Sequence, residues 1–193
     1  MAKAKRLKKD LFGAPDLPEG FAYREDLITA EEERDFAAKF ATLPFKAFEF
    51  HGFLGKRRIV SYGFKYVYSG AGELTETAPV PDFLFPLRER AAGFARLKQE
   101  RLEQVLVTEY APGAGIGWHR DKPMFEDVVA LSFLSACTLR FRRRAGERWE
   151  RRSLEVAPRS GYLLRGAARR EWYHSVPPMA ALRYSVTFRN FTR

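Results

Sequence analysis

The sequence predicts a mostly β protein, a sandwich or jelly roll with helices in its N-terminal half. Short apolar runs separated by turn residues begin near residue 102. They cover residues 104–110, 128–134, 138–143, 152–157, 161–165, 171–176 and 182–190. Many short strands at this spacing are typical of antiparallel sandwiches and jelly rolls. Hydrophobic residues make up 46% of the 193 residues, which is enough to bury one core.

The N-terminal part of the chain divides into a basic segment and a first helix. Residues 1–28 are basic at the start and rich in Pro and Gly, so we expect an extended segment there, followed by one domain over residues 29–193. Thr29 and Glu32 form a capping-box pattern that begins a helix. This helix should end before Pro44.

Strands and a second helix are predicted next. Residues 45–69 alternate and are rich in aromatic side chains, which indicates strands joined by a turn at residues 52–55. Residues 70–82 have a loop composition. Apolar residues at helical spacing predict a second helix over residues 83–99.

Charge and cysteine content limit the partners and the compartment. The formal net charge is +10, and residues 138–170 contain eleven Arg against three Glu. Such a cluster favours a nucleic-acid partner, although a solvated, solubilising surface would look the same. The one cysteine, Cys137, excludes an intramolecular disulfide and is expected to be a small buried hydrophobe. We expect a monomeric protein in the cytoplasm, with no secretory signal and no membrane span.

The chain contains three histidines, and two of them suggest a metal site. In an extended segment, His119 and Asp121 of the His-x-Asp sequence point to the same face. With His174 they would form two histidines and one carboxylate, a facial set that leaves open positions on iron(II). A surface histidine beside a solvated aspartate is the alternative. His51 has no partner motif and is expected not to be a ligand.

The last strand has one polar and one apolar face. Its polar face carries Arg183, Ser185, Thr187 and Arg189, and its apolar face Tyr184, Val186 and Phe188. A guanidinium pairs with a carboxylate through two hydrogen bonds, so Arg183 is a candidate anchor for the far carboxylate of a dicarboxylic acid. Arg189 is assigned to the iron end, near Asp121. A solvent-exposed strand face is the alternative.

Three separated motifs resemble the AlkB family of Fe(II)- and 2-oxoglutarate-dependent dioxygenases. They are Thr108-x-Tyr110-Ala111-Pro112-Gly113-x-x-Ile116-x-x-His119-x-Asp121-Lys122, then His174, then Arg183-Tyr184-x-x-Thr187-Phe188-Arg189. The match covers roughly residues 103–191, in order and with compatible spacing. Residues 57–66 resemble the family's nucleotide-recognition region more loosely.

The resemblance implies a double-stranded β-helix (jelly roll), with the catalytic core in residues 103–193 and helices and substrate-recognition strands in residues 29–102. It implies that iron(II) is bound by His119, Asp121 and His174. It implies that 2-oxoglutarate, consumed with O2, is contacted by Thr108, Tyr110, Arg183, Ser185 and Arg189. The implied reaction removes an alkyl group, such as methyl, from a DNA or RNA base.

Three positions depart from the family pattern. Thr108 and Ser185 stand where Asn is often found, and each keeps a hydroxyl. Pro123 stands where some members carry an acidic residue aimed at the base. Base selectivity, and the choice between DNA and RNA, are therefore left open.

Four residues are candidates for substrate binding. Tyr62, Phe64 and Tyr66 alternate on one predicted strand, as core residues or as a stacking platform for a flipped base. Arg57 would contact phosphate or be solvated. Trp118 should point away from His119, into the barrel wall.

Two other functions remain open from the sequence. The first is the same oxidative chemistry on a protein side chain or a tRNA modification. The second is a nucleic-acid-binding protein without catalysis, against which the complete triad and both arginines argue.

Overall fold

The computed structural model describes residues 17–50, 53–67 and 73–192. The helices described there are α1 (Ala30–Ala41), α2 (Phe85–Ala95) and α3 (Gly166–Arg170), with 3-10 turns at Asp82–Leu84 and Gln99–Arg101. The strands are β1 (Phe21–Arg24), β2 (Lys46–Phe50), β3 (Phe53–Tyr62), β4 (Phe64–Val67), β5 (Glu73–Glu76), β6 (Gln104–Tyr110), β7 (Ile116–His119), β8 (Phe125–Phe133), β9 (Cys137–Ala145), β10 (Arg148–Val156), β11 (Gly161–Leu164), β12 (Tyr173–Val176) and β13 (Arg183–Phe191).

Two antiparallel sheets form the jelly roll that the sequence predicts. Within the described ranges, the major sheet has the order β1-β11-β8-β13-β6-β3-β2 and the minor sheet the order β10-β9-β12-β7. Strands β4 and β5 pair separately as a hairpin. Strand β1 pairs with β11, so residues 21–24 of the basic N-terminal segment belong to the major sheet.

One hydrophobic core lies between the two sheets. Val128 and Leu164 of the major sheet join Leu139 and Phe141 of the minor sheet in this cluster. Cys137 lies in the same cluster and is 5% exposed, which confirms its prediction as a small buried hydrophobe. Because alternate residues of a strand point to opposite faces, the even-numbered residues of β9 point away from this core.

A second core lies on the other face of the major sheet, under α1 and α2. Phe40 of α1 packs edge-on against Phe133 of β8 and contacts Tyr184 of β13. The predicted capping box is confirmed, since the Thr29 side chain accepts from the Glu32 amide and the Glu32 side chain accepts from the Thr29 amide. Helices α1 and α2 therefore cover the side of the molecule away from the minor sheet. No helix in the described residues is long and apolar enough to cross a membrane.

Three local predictions need correction. Helix α2 ends at Ala95 rather than at residue 99, because Arg96 takes a left-handed backbone (φ 56°) that ends the helix. Residues 70–82, predicted as a loop, contain β5. Gly55 lies inside β3 rather than in the preceding turn.

Candidate active site

The two predicted histidine ligands are direct neighbours across the minor sheet. His119 is the last residue of β7, His174 lies in β12, and the two are paired across the strands. Their ring centroids are 4.2 Å apart. Asp121 follows two residues after β7, and candidate ligand atoms of all three side chains lie within 4.8 Å of one another. The jelly roll therefore brings the predicted triad together.

Both histidines are held in the neutral form that binds metals. Burial lowers the pKa of His119, and burial together with the neighbouring His119 lowers the pKa of His174 to about 3. The Nδ1 atom of His119 lies 2.9 Å from the carbonyl oxygen of Gly117, so Nδ1 carries the proton and Nε2 is left for a metal. His174 Nδ1 is buried without a hydrogen-bond partner among the described residues.

Asp121 is held as an oriented carboxylate. Burial alone would raise its pKa, but Arg189, His174 and His119 together lower it to about 2. Arg189 Nε donates to Asp121 Oδ1 at 2.9 Å, and Arg189 Nη1 donates to Gln104 at 2.8 Å. The other carboxylate oxygen, Oδ2, lies 3.5 Å from His174 Nε2. Two neutral imidazoles and one carboxylate, buried and convergent, suit iron(II), and they leave room for other ligands on one side.

Arg183 is a buried cation with no carboxylate partner among the described residues. It is 1% exposed, and its Nε donates to Ser132 Oγ at 3.0 Å. Its Nη2 has no partner in the part of the chain that the structure describes. Since a buried unpaired charge is costly, this guanidinium is suited to an anionic ligand.

Hydroxyl-bearing side chains of β6 and β13 lie near Arg183. Its guanidinium lies 5.2 Å from the ring of Tyr110, its cross-strand partner on β6. Burial raises the pKa of Tyr110, so its hydroxyl stays protonated and can donate to a carboxylate. Thr108 and Ser185 form the next cross-strand pair and are both buried.

One open cleft of about 2050 Å³ contains all of these groups. The predicted polar face of β13 lines it, through Arg183, Ser185, Thr187 and Arg189. The apolar face of β13 packs in the core under the helices, as predicted. Typical small-molecule pockets measure about 300–1,000 Å³, so the cleft has room for a second, larger substrate beside a small dicarboxylate.

Most of the chain matches one protein-family model. The family model described as "2OG-Fe(II) oxygenase superfamily" matches residues 24–189. The chain belongs to this superfamily. The oxygenase is thus an enzyme that uses Fe(II), 2-oxoglutarate and O2.

Individual relatives confirm the AlkB-type resemblance and the fold. An Arabidopsis thaliana protein named "Alkylated DNA repair protein ALKBH8 homolog" is 31% identical over 147 residues, which are 64% of this chain and 42% of that relative's length. The structure of OsALKBH1 superposes with a TM-score of 0.59 at 15% identity, covering 90% of this chain and 99% of that one. A Pseudomonas putida prolyl-4-hydroxylase gives the same TM-score and identity, covering 90% and 93%. The oxygenase spans less than half the length of the plant relative, and the two structural likenesses concern the fold alone.

Of the four predicted substrate residues, the three whose side chains the structure describes do not lie together. Arg57 lines the cleft of the oxygenase, and its guanidinium lies 3.7 Å from the centroid of the Phe48 ring. Phe64 instead packs edge-on against Phe191, with centroids 5.1 Å apart. The side chain of Tyr66 lies outside the described residues.

Gly63 interrupts the single strand that the alternation of Tyr62 and Phe64 predicts. It has φ +75° and separates β3 from β4, so Tyr62 and Phe64 lie on different strands. A Cβ at this position would lie 2.2 Å from the carbonyl oxygen of Glu103, so only glycine is accommodated. Tyr62 is 6% exposed and packs in the core under the helices beside its cross-strand partner Val105, so it is not available as a stacking surface for a base.

Arg169 is a candidate positioning residue that no sequence pattern indicated. It is 5% exposed and lies in α3. Its guanidinium donates to the backbone carbonyls of Asp121, Lys122, Pro123 and Phe125, so it holds the loop that carries the candidate carboxylate ligand. The sequence placed Arg169 in the basic segment, and backbone contacts leave no signal in sequence.

Loss of Arg169 should weaken metal binding without removing a ligand. We expect Arg169→Ala to reduce metal affinity about tenfold, since outer-shell partners typically contribute 10–100-fold. Titration with Mn(II) under anaerobic conditions measures this affinity, and Arg169→Lys should retain part of it. An unchanged affinity in a folded Arg169→Ala protein would contradict the positioning role.

Arg165 is also used inside the fold. Its guanidinium pairs with the buried carboxylate of Asp127, with Nη2 and Oδ2 2.6 Å apart, and donates to the carbonyl of Ala95. Arg165, whose side chain is 42% exposed, therefore contributes to the fold as well as to the basic segment of residues 138–170.

Proposed function

We propose that the oxygenase removes alkyl groups, foremost methyl, from nucleic-acid bases. The observation that carries this proposal is the association of the buried triad and Arg183 with a cleft that is larger than a co-substrate needs. The name of the 31% identical plant relative supports a nucleic-acid substrate. The likeness to a prolyl-4-hydroxylase shows that this fold alone does not choose the substrate.

In this proposal His119, Asp121 and His174 hold Fe(II). Arg189 fixes the carboxylate of Asp121 so that Oδ2 faces the two imidazoles. When bound, Fe(II) supplies the oxidation of a C–H bond by O2, driven by the decarboxylation of 2-oxoglutarate to succinate. The role of the protein would be to place its three ligands on one side of the metal and to leave the other side open to the cleft.

The proposed co-substrate site uses the buried polar end of the cleft. Arg183 pairs with the far carboxylate of 2-oxoglutarate, which satisfies the unpartnered Nη2. The protonated hydroxyl of Tyr110 donates to the same molecule. Thr108 and Ser185 lie beside it and complete the polar wall.

The rest of the cleft would take the alkylated base. Arg57 lies on the wall of the cleft, where it can contact a phosphate of the substrate. Hydroxylation of an N-methyl carbon gives an N-hydroxymethyl group, which releases formaldehyde and leaves the base with a restored N–H. The buried walls exclude water while the C–H bond is oxidised.

The experiment is turnover with a panel of singly methylated oligonucleotides, as DNA and as RNA, with Fe(II) and 2-oxoglutarate. Mass spectrometry should show loss of one methyl group from at least one member of the panel. The control is Arg34→Glu, on the exposed side of α1, which should leave turnover unchanged. If no oligonucleotide loses mass while a peptide panel gains one oxygen atom, the nucleic-acid proposal is wrong.

A further inference from the structure

The outward face of the minor sheet carries alternating arginine and aromatic side chains. We call it the Arg–aromatic face; it consists of Trp118, Arg140, Arg142, Arg144, Trp149, Arg151 and Tyr173. Strand register puts these residues together, since Arg142 is paired with Arg151 of β10 on one side and with Tyr173 of β12 on the other. The odd-numbered neighbours Leu139 and Phe141 point into the core between the sheets.

These side chains stack into a continuous ladder. The Arg142 guanidinium lies 4.5 Å from the ring of Trp118 and 4.5 Å from the ring of Trp149. Arg140 extends the ladder on Trp118, at 5.1 Å, and Arg144 extends it on Trp149, at 5.2 Å. Each of these side chains is half-buried or exposed, so the ladder faces solvent, and the cation–π contacts hold its members beside one another.

The positive charge of this face is not neutralised by neighbouring carboxylates. Glu150 pairs with Arg143 and Arg152, and Glu171 pairs with Arg143. The Arg–aromatic face contains four arginines, Arg140, Arg142, Arg144 and Arg151. Within residues 17–50, 53–67 and 73–192, none of them forms an ion pair with a carboxylate. Arg142 Nε is buried without a hydrogen-bond partner in the same ranges. The face therefore presents a net positive charge that a polyanion would complement.

The Arg–aromatic face is continuous with the cleft. Trp118 and Tyr173 each precede a candidate metal ligand, His119 and His174, on the same strand, and both also line the cleft. Arg120 bridges the two regions, because its guanidinium lies 4.7 Å from the Tyr173 ring and it lines the cleft as well. A chain whose one nucleotide enters the cleft can therefore continue directly onto this face.

We propose that the Arg–aromatic face binds the single-stranded nucleic acid that flanks the target base. Unpaired bases stack on the exposed aromatic and guanidinium planes, and phosphates pair with Arg140, Arg144 and Arg151. A duplex hides its base faces and offers phosphates alone, so this face favours a single strand. The inference rests on the proposed function, of which it names the strandedness and the second contact surface.

The test is binding of unmethylated, fluorescently labelled oligothymidylate and oligouridylate, measured by anisotropy without 2-oxoglutarate so that no chemistry occurs. The wild-type oxygenase should bind, with an affinity that falls with salt by a log–log slope of about −0.7 per neutralised phosphate. Trp149→Ala should weaken binding about tenfold, and Arg144→Glu with Arg151→Glu should weaken it and flatten the salt slope. Arg34→Glu is the matched charge reversal on the opposite side of the molecule and should bind as wild type does.

A second variant separates the loss of stacking from misfolding, and unlabelled competitors compare single strands with duplex. Trp149→Phe retains a ring, so it should bind more tightly than Trp149→Ala, and it replaces that variant if alanine prevents folding. Unlabelled single strands should displace the probe at lower concentration than duplex of the same length. Equal displacement by duplex, or wild-type affinity in both Trp149→Ala and the double arginine variant, would overturn the proposal.

The two proposals fail in different ways. If single-stranded nucleic acid binds in a way that depends on Trp149 but no methyl group is removed, the proposed dealkylation is wrong. The proposed role of the Arg–aromatic face would still be supported. If the double arginine variant dealkylates long oligonucleotides at the wild-type rate and KM, the proposed role of the Arg–aromatic face is wrong. The proposed dealkylation would still be supported.

Discussion

Replacing His119 or Asp121 with alanine is expected to abolish Fe(II)-dependent succinate formation. Each residue would supply one of three protein ligands, and a metal held by two ligands is neither retained nor oriented. The fold should persist, since His119 ends an exposed edge strand and Asp121 lies in a loop. The measurement is the rate of succinate formation once O2 is admitted to protein that was loaded with Fe(II) under anaerobic conditions. For both variants this rate should equal the rate without enzyme.

The two variants should differ in stability. Removing Asp121 leaves Arg189 with Gln104 but without its carboxylate, so the Tm of Asp121→Ala should fall further than that of His119→Ala. Asp35→Ala, on the exposed side of α1, is the matched control and should keep both Tm and turnover. Retained succinate formation in either purified site variant would remove that residue from the metal site.

Replacing Arg183 with methionine is expected to raise the KM for 2-oxoglutarate strongly. Truncating one partner of a buried charge pair costs about 2–5 kcal/mol, which corresponds to roughly 30- to several-thousand-fold in affinity. Metal affinity should stay close to that of wild type, because Arg183 does not contact the triad in the hydrogen bonds described. Initial rates over a range of 2-oxoglutarate, with Mn(II) binding measured separately, distinguish the two effects.

The same substitution has an opposite effect on the protein without co-substrate. Arg183 is buried with an unpartnered Nη2, so Arg183→Met removes an uncompensated charge and should raise the Tm of the ligand-free protein. Wild type should gain stability from saturating 2-oxoglutarate and the variant should not. Arg34→Met is the control. A ligand-free Tm that falls in Arg183→Met, together with an unchanged KM, would assign Arg183 a structural role instead.

Strand positions and the buried face of β13 could be predicted because they depend on alternation. The predicted strand at residues 104–110 has the observed bounds, and the polar residues from Arg183 to Arg189 face the cleft as their spacing requires. The His-x-Asp spacing likewise placed two candidate ligands on one side. Cross-strand pairing of His119 with His174 is not visible in the sequence, which suggested His174 as a third ligand but not its position in the sheet.

The missed features depend on backbone contacts between distant segments. Gly63 interrupts a sequence that alternates like one strand, because the carbonyl of Glu103 approaches it closely. Arg96 ends α2 in a left-handed conformation that is uncommon for any residue except glycine. Arg165 and Arg169 look like part of a basic surface, yet both bind partners inside the protein.

The most direct test of the account is the ratio of formaldehyde to succinate with a methylated single-stranded oligonucleotide. The oxygenase should form one formaldehyde for each succinate above the uncoupled background, and one demethylated base for each formaldehyde. Both products should disappear together in Asp121→Ala. Succinate formed at the same rate with and without every oligonucleotide, and no formaldehyde, would contradict the assignment of a nucleic-acid base as the substrate.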